Sequence, residues 1–175
     1  MINKIKEMFS ENDDLVIRKV KINLFHSIYV IFFDTLVSQD KINEYILKRI
    51  TSVNKLHNFE NEVPGSNVNK IKFNKIEYFL YNGFTIVINQ NKIYAIETRA
   101  TLDRSISVNE IEPSLKGPRN AFIENYQTNL GLIKRRIKTS NLKCKNLDIG
   151  RISKTKIGIL YIEGITKTKL VDMAY

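Results

Sequence analysis

The sequence has little of the chemistry that defines a disulfide-bonded, metal-binding or membrane-spanning protein. Its 175 residues include one cysteine, two histidines, three prolines and no tryptophan. The single Cys144 excludes an internal disulfide and a cysteine-based metal cluster, and we expect it to be a packed thiol. His26 and His57 stand far apart without the spacing of metal ligands, so no metal site is predicted. The longest apolar run, Ile28 to Phe33, is six residues, whereas a membrane helix needs roughly 18–20.

The N-terminal residues lack the apolar centre of a signal peptide, so we expect a soluble domain that is not itself exported. Catalytic signatures are missing too: the sequence has no G-x-S-x-G, H-E-x-x-H, P-loop or dinucleotide-binding glycine motif. The nearest approach, at residues 150–155, lacks the glycine before lysine that a phosphate-binding loop requires. Glu110 and Glu112 lie close in sequence, but no base neighbours them. We therefore expect neither an enzyme nor a bound cofactor.

Positive charge is abundant and unevenly distributed. The formal net charge is +10, and residues 134–156 hold nine Lys or Arg and one acid, Asp148. Such a basic band can meet phosphates, anionic lipid headgroups or an acidic protein surface. A basic nucleic-acid-binding domain, with Lys134–Lys138, Lys154 and Lys156 on the phosphates, is one alternative function. Aromatic residues are not interleaved with these cations as a base-stacking surface requires, so no nucleic-acid partner is expected.

The apolar pattern is that of a mixed α/β domain. Alternation predicts a half-buried strand at 15–22, and the continuous apolar run at 28–33 predicts a buried central strand. Helical spacing predicts helices at 41–53 and at 71–82, the second ending at Gly83. Further predicted elements are a helix at 2–9, a hairpin of strands 84–88 and 93–96, and a short strand at 143–149. We expect an α/β (α+β) fold, a mixed sheet of about five strands with helices packed on it.

A basic helix near the middle of the chain dominates the second half. Gly117-Pro118 is typical of a helix start, because proline is tolerated at the first helical position. The apolar residues Phe122, Tyr126, Leu130, Ile133 and Ile137 then recur at helical spacing. An acid near the start, Glu124, and four basic residues at the end complement the helix dipole. The four are Lys134, Arg135, Arg136 and Lys138. These features predict a helix over 118–137.

The C-terminal residues repeat an earlier pattern. Residues 157–165 align with 28–36, each an apolar strand closed by an acid, a small residue and an aliphatic residue. Repeats of this kind indicate duplicated α/β units. We therefore predict a first N-terminal subdomain at 1–150, and at 151–175 a linker with the first strand and helix start of a second, truncated subdomain.

Several motifs together carry a family resemblance. In order along the chain they are Arg104, Glu112-Pro113, Lys116-Gly117-Pro118-Arg119, Phe122, Glu124, Asn129 and Ile133-Lys134-Arg135-Arg136-Ile137. Two shorter segments follow, Gly150–Thr155 and Tyr161–Ile165. In these motifs the sequence resembles the A subunit of GerA-type spore germinant receptors. The resemblance extends back to Asp14–Arg18 and Ile42–Leu47, and Thr35 stands where that family more often has glycine.

The resemblance implies a set of structural and interaction residues, none of them catalytic. They are Arg104, Glu112, Pro113, Gly117, Pro118, Arg119, Phe122, Glu124, Asn129, Arg135 and Arg136. The charged members are expected to form arginine–carboxylate pairs that fix the segment 97–118 against the central helix. Gly117, Pro118 and Phe122 are expected to set the start of that helix and seat it in the core.

The resemblance also implies a function and partners. GerA-type A subunits assemble with B and C subunits in the spore inner membrane, where nutrients trigger germination. The expected role is nutrient sensing, receptor assembly and signal relay by a soluble domain on the cytoplasmic or core side. The expected partners are the B and C subunits and further copies of the A subunit. Direct binding of a small-molecule nutrient, in a cleft between two subdomains, stays open as an alternative.

Overall fold

The computed structural model describes residues 1–23, 26–48, 68–101 and 122–175. Its helices are α1 (Ile2–Met8), α2 (Gln39–Ile42, continued by a π-helical turn at Asn43–Leu47), α3 (Ile76–Tyr81, after a 3₁₀ turn at Phe73–Lys75), α4 (Tyr126–Arg136) and α5 (Thr168–Ala174). Its strands are β1 (Leu15–Lys21), β2 (Ser27–Phe33), β3 (Val68–Ile71), β4 (Phe84–Asn89), β5 (Lys92–Glu97), β6 (Leu142–Ile149) and β7 (Thr155–Ile162). The predicted α+β class is confirmed.

The main sheet has five strands, the expected number, but it is antiparallel where a mixed sheet was expected. Their order is β1-β2-β4-β5-β3, and each neighbouring pair is antiparallel. The predicted central strand, β2, lies between β1 and β4 with both of its edges paired. Among the described residues, parallel pairing occurs at one isolated bridge, between Asn12 and Cys144.

Helices cover both faces of this sheet, which is why β2 is apolar throughout. On one face Ile31 lies in a first apolar cluster with α1 and α3, and the cluster includes Ile5 and Leu80. On the other face the neighbouring Phe32 lies in a second apolar cluster with Ile42 of α2. Successive side chains of a strand point to opposite faces, so an uninterrupted apolar run fills both clusters.

The turns follow the predicted chemistry. Gly83 ends the α3 region at φ +78°, and a Cβ there would lie 2.9 Å from the carbonyl oxygen of Leu36. Glycine therefore fits both the left-handed conformation and the close approach. The β4–β5 hairpin turns at Gln90, which adopts φ 52°. Both predicted strands of this hairpin are confirmed, each slightly longer than expected.

The start of the central helix was predicted wrongly. Residues 122–125 are not helical, and α4 begins at Tyr126. The Asn125 side chain provides the N-cap and accepts a hydrogen bond from the Thr128 amide at 3.0 Å. The Asn129 side chain also holds both the N–H and the carbonyl of Ile123, at 2.9 and 2.6 Å. These local bonds outcompete continuation of the helix towards the N-terminus.

Some predicted features lie outside the described residues. The end of the helix predicted at 41–53 belongs to them, as does His57. Within the described part, α2 begins at Gln39, because the Ser38 side chain caps it by accepting from the Lys41 amide. The Gly117-Pro118 pair also lies outside.

Residues 122–175, here called the C-terminal segment, form a second small layer. Strands β6 and β7 pair antiparallel as a two-stranded sheet, and α5 follows β7. The strand and the helix start predicted within residues 151–175 are present as β7 and α5. The hairpin turn contains Gly150, at φ +94°, and Lys154, at φ 43°. The proposed division at residue 150 falls in this turn, and it stays a prediction.

None of the helices in residues 1–23, 26–48, 68–101 and 122–175 is long and apolar enough to cross a bilayer.

Candidate functional site

A fully buried lysine forms the centre of the site. Lys134 of α4 is 0% exposed. Its Nζ lies 2.5 Å from Oδ1 of Asp14 and 3.2 Å from Oδ1 of Asn12. The same ammonium lies 3.9 Å from the ring centroid of Phe33, at the end of β2. One side chain therefore joins α4 to the N-terminal turn and to the main sheet.

Asp14 balances this charge and is itself fixed from two sides. Its side chain is 4% exposed, and its Oδ2 accepts a hydrogen bond from the Thr35 hydroxyl at 2.8 Å. Its backbone carbonyl accepts from the Asp34 amide at 3.0 Å. Burial lowers the pKa of the Lys134 ammonium, and the attraction of Asp14 opposes that shift. Removing one partner of a buried ion pair leaves an uncompensated charge and costs about 3–5 kcal/mol.

Asn12, the second hydrogen-bond acceptor for Lys134, lowers the stability of the fold through another atom of its side chain. Its side-chain Nδ2 is buried and has no hydrogen-bond partner among the described residues. An unsatisfied buried donor costs about 1–3 kcal/mol. The arrangement around Lys134 thus fixes geometry at some expense of stability.

A tyrosine, a thiol and an amide lie beside the ion pair. The Tyr126 hydroxyl donates to Oδ1 of Asn146 at 2.5 Å and lies 3.8 Å from Sγ of Cys144. A Cβ on Gly158 of β7 would lie 3.0 Å from Cε2 of the Tyr126 ring, so glycine allows the ring to settle on the hairpin. Burial raises the pKa of both the Tyr126 phenol and the Cys144 thiol, and Asp14 adds to the second shift. The expectation of a packed, free thiol is confirmed.

Backbone and charged contacts bind the hairpin to the N-terminal turn. The Cys144 amide donates to the Glu11 carbonyl at 2.9 Å, and the Asn146 amide donates to Oδ2 of Asp13 at 2.7 Å. Lys145 lies 3.4 Å from Glu11, which also accepts a hydrogen bond from the Tyr161 hydroxyl. That hydroxyl, followed by Lys145, holds the pKa of the Glu11 carboxyl below its usual range. We call the contacts of residues 10–14 with the C-terminal segment the polar joint.

A second buried lysine belongs to the same joint. Lys143 of β6 is 2% exposed, and its Nζ lies 3.2 Å from Glu163 and 3.5 Å from the Ser10 hydroxyl. Both partners lie at the rim of the joint, one in the turn after β7 and one in the N-terminal turn. The lysine therefore adds a further polar contact between the two parts of the chain.

The basic band predicted at 134–156 is therefore not a uniform cationic surface. Lys134 and Lys143 point inward, and Lys145 is engaged by Glu11. Lys138 is exposed and donates to Oδ1 of Asn82 at 2.7 Å. In the alternative nucleic-acid function Lys134 would contact phosphates, and the structure contradicts this, because a fully buried ammonium cannot reach them.

The residues selected from the sequence divide into two groups. Six lie outside the described residues: Arg104, Glu112, Pro113, Gly117, Pro118 and Arg119. Their expected arginine–carboxylate pairs stay predictions. Of the others, Asn129 holds the turn before α4, Arg135 donates to the Ala100 carbonyl, and Glu124 and Arg136 are exposed.

Phe122 corrects one expectation. It is 67% exposed, so it does not seat the helix in the core. Leu130 and Lys134 occupy the buried face of α4 instead. The core face begins one turn into the helix, because residues 122–125 follow a separate, non-helical path.

The sequence did not predict that four residues form one cluster. They are Asp14, Asn12, Tyr126 and Lys134. A signal was available: Lys134 follows the apolar Leu130 by four residues, on the same helix face. A lysine in such a stripe requires a buried acid, since lysine is almost never fully buried unless paired. The acid lies 120 residues away, and one sequence alone does not identify it.

Comparison with known proteins shows a family. The model for GerA, the Bacillus/Clostridium GerA spore germination protein, matches residues 3–174. Spore germination protein KA of Bacillus subtilis (strain 168) is 27% identical over 182 residues, with 97% of this chain and 34% of that protein covered. Spore germination protein GerQA of Bacillus cereus is 28% identical over 172 residues, with 94% and 34% covered. The chain thus spans about a third of the length of these curated relatives.

A solved structure shares the fold. It is the crystal structure of the N-terminal domain of the A subunit of the Bacillus megaterium spore germinant receptor GerK3. The TM-score is 0.69 at 23% sequence identity, and the match covers 99% of this chain and 67% of that one. The family model, the curated relatives and this fold agree over nearly the whole chain. The chain belongs to the GerA family of Bacillus and Clostridium spore germination proteins.

Proposed function

We propose that this chain is the soluble N-terminal domain of the A subunit of a spore germinant receptor. In this role it takes part in nutrient sensing, receptor assembly and the signal relay that triggers germination. It is a non-catalytic module that holds its surfaces in a defined orientation relative to one another. The full-length protein lies in the spore inner membrane, with this domain on the cytoplasmic or core side. Its partners are the B and C subunits and further copies of the A subunit.

One observation carries the proposal. The family model matches residues 3–174, and two distant parts of the family resemblance meet in the structure at the buried Lys134–Asp14 pair. Asp14 begins the early motif, and Lys134 belongs to the basic end of α4. A pair of this kind fixes the relation of two elements more than it adds stability. A buried pair that fixes the relative orientation of two elements is suited to a domain that transmits a conformational change.

The exposed apolar residues near the C-terminus support the proposed second subdomain. Six large apolar side chains in the last 24 residues are exposed: Ile152, Ile157, Ile165, Leu170, Met173 and Tyr175. Clustered exposed apolar residues are typical of a surface that another part of a protein covers. We propose that residues 151–175 continue into a second α/β subdomain, which covers them in the longer protein.

The exposed end of α4 offers a test of the relay role. Replacing Arg136 with alanine should slow nutrient-triggered germination several-fold, because the change removes an exposed guanidinium suited to an acidic partner surface. The protein level should be unchanged, since surface substitutions alter stability by only about 0.5 kcal/mol. The measurement is the loss of optical density of spores after nutrient addition, with immunoblotting of the full-length A subunit.

A matched control is available in the hairpin turn. Arg151 is also an exposed arginine, and it lies outside the segment that resembles the family's basic helix end. Arg151→Ala should germinate as the wild type does. Equal germination of the wild type and both variants, at equal protein level, would remove Arg136 from the proposed role.

A further inference from the structure

The C-terminal segment is joined to the main sheet chiefly by polar contacts. Both apolar clusters of the sheet consist of residues between 2 and 96. Residues of the C-terminal segment meet the rest of the described chain through the polar joint and through further hydrogen bonds. These include the Tyr81 hydroxyl to the Thr139 carbonyl at 2.6 Å, the Ser140 amide to Glu77 at 2.6 Å, Lys138 to Asn82 at 2.7 Å and Arg135 to the Ala100 carbonyl.

Polar contacts favour a few defined orientations of the two parts that they join. Apolar packing tolerates small slides, whereas hydrogen bonds and ion pairs weaken steeply when their geometry changes. At the centre of this joint, Lys134 meets Asp14, Asn12 and Phe33 at once, so one orientation satisfies all three. The unpartnered Nδ2 of Asn12 shows that this orientation leaves a polar group unpaired among the described residues.

We propose that the Lys134–Asp14 pair is a releasable latch between the main sheet and the C-terminal segment, and that its release is a step of the signal relay. The proposal rests on the function proposed above and specifies how the domain transmits. With the pair formed, α4 and the hairpin are held in one orientation. With the pair broken, they move relative to the sheet, because neither apolar cluster extends across the joint.

The test distinguishes the proposed latch role of the Lys134–Asp14 pair from the contribution of the same pair to folding. A buried ion pair can be replaced by apolar side chains of similar volume with little loss of stability, or with a gain. The double variant Asp14→Leu/Lys134→Met should therefore restore the protein level that either single variant lowers. An apolar joint has no ion pair to release, so nutrient germination of the double variant should stay at least ten-fold slower than that of the wild type. The full-length A subunit is used in spores that also contain the B and C subunits.

Lys156→Met is the matched control, because Lys156 is an exposed lysine of β7 outside the joint. It should leave both protein level and germination unchanged. Wild-type germination of the double variant at wild-type protein level would overturn the latch. A double variant that accumulates no better than the single variants would also overturn it, since the pair would then be a requirement of folding.

The strain used keeps this failure distinct from failure of the proposed function. It is chosen so that deletion of the A-subunit gene abolishes the response to the nutrient tested. Normal germination of the double variant there contradicts the latch alone. If no nutrient response depends on the A-subunit gene, so that no such strain exists, the receptor role itself is contradicted.

Discussion

Replacing Lys134 with methionine should lower the free energy of unfolding by about 3–5 kcal/mol. Methionine keeps much of the volume of lysine but leaves the Asp14 carboxylate buried without its counter-charge. Asn12 also loses the ammonium that its Oδ1 accepts from, so a second buried group becomes unpaired. For a chain of this length the expected fall in Tm is ~6–20 °C. The measurement is thermal unfolding of the 175-residue chain followed by circular dichroism.

Lys156→Met supplies the control for the same chemical change on the surface. Its expected change in stability is within about 0.5 kcal/mol. If Lys134→Met were as stable as this control, Lys134 would not be paired in the interior and the described joint would be wrong.

Replacing Phe33 with alanine should cost a similar amount, about 3–5 kcal/mol. Phe33 is fully buried where the first apolar cluster meets the polar joint. Its ring packs edge-on against Phe9 at 5.6 Å between centroids and lies 5.0 Å from Tyr81. It also forms the surface over which the Lys134 ammonium lies. The variant therefore loses apolar packing and a cation–π contact together, which urea unfolding of the same chain would measure.

Phe122→Ala is the matched control, because Phe122 is the same residue type with most of its surface exposed. Its loss should change the free energy of unfolding by about 0.5 kcal/mol or less. A large loss with Phe122→Ala, or a small one with Phe33→Ala, would contradict the described burial.

Four strands of the main sheet could be predicted because their signals are local. Strand β3 was not predicted, because its four residues show no extended apolar pattern, and the helix predicted at 71–82 begins only at Ile76. The run at 28–33 is apolar at every position, which indicates a strand buried on both faces, and β2 occupies that place. The hairpin of β4 and β5 follows from two apolar runs around a short polar turn. Strand order was not predictable, because the pairing of β3 with β5 depends on contacts that local pattern does not encode.

The beginning of α4 shows how one local signal overrides another. Gly117-Pro118 is a typical helix start, yet the cap by Asn125 and the bonds of Asn129 to Ile123 set the start at Tyr126. Amide side chains compete with the helix for backbone groups, and here they determine its boundary.

The candidate site was the least predictable part, because its members come from distant positions. The sequence pattern places Lys134 in a solvated basic band, because lysine is usually exposed. Its burial depends on Asp14 and Asn12 in the N-terminal turn, and on Phe33 at the end of β2. The family resemblance includes the motifs that contain Asp14 and Lys134, but it does not imply that these two residues are in contact.

The most direct test of the account is nutrient germination of spores that lack this gene. We expect deletion spores to lose the response to at least one nutrient, and complementation with the full-length wild-type gene to restore it. A trigger that bypasses nutrient receptors should still germinate them, which separates a receptor defect from a general one. Deletion spores that respond to every nutrient as their parent does would contradict the assignment to a germinant receptor.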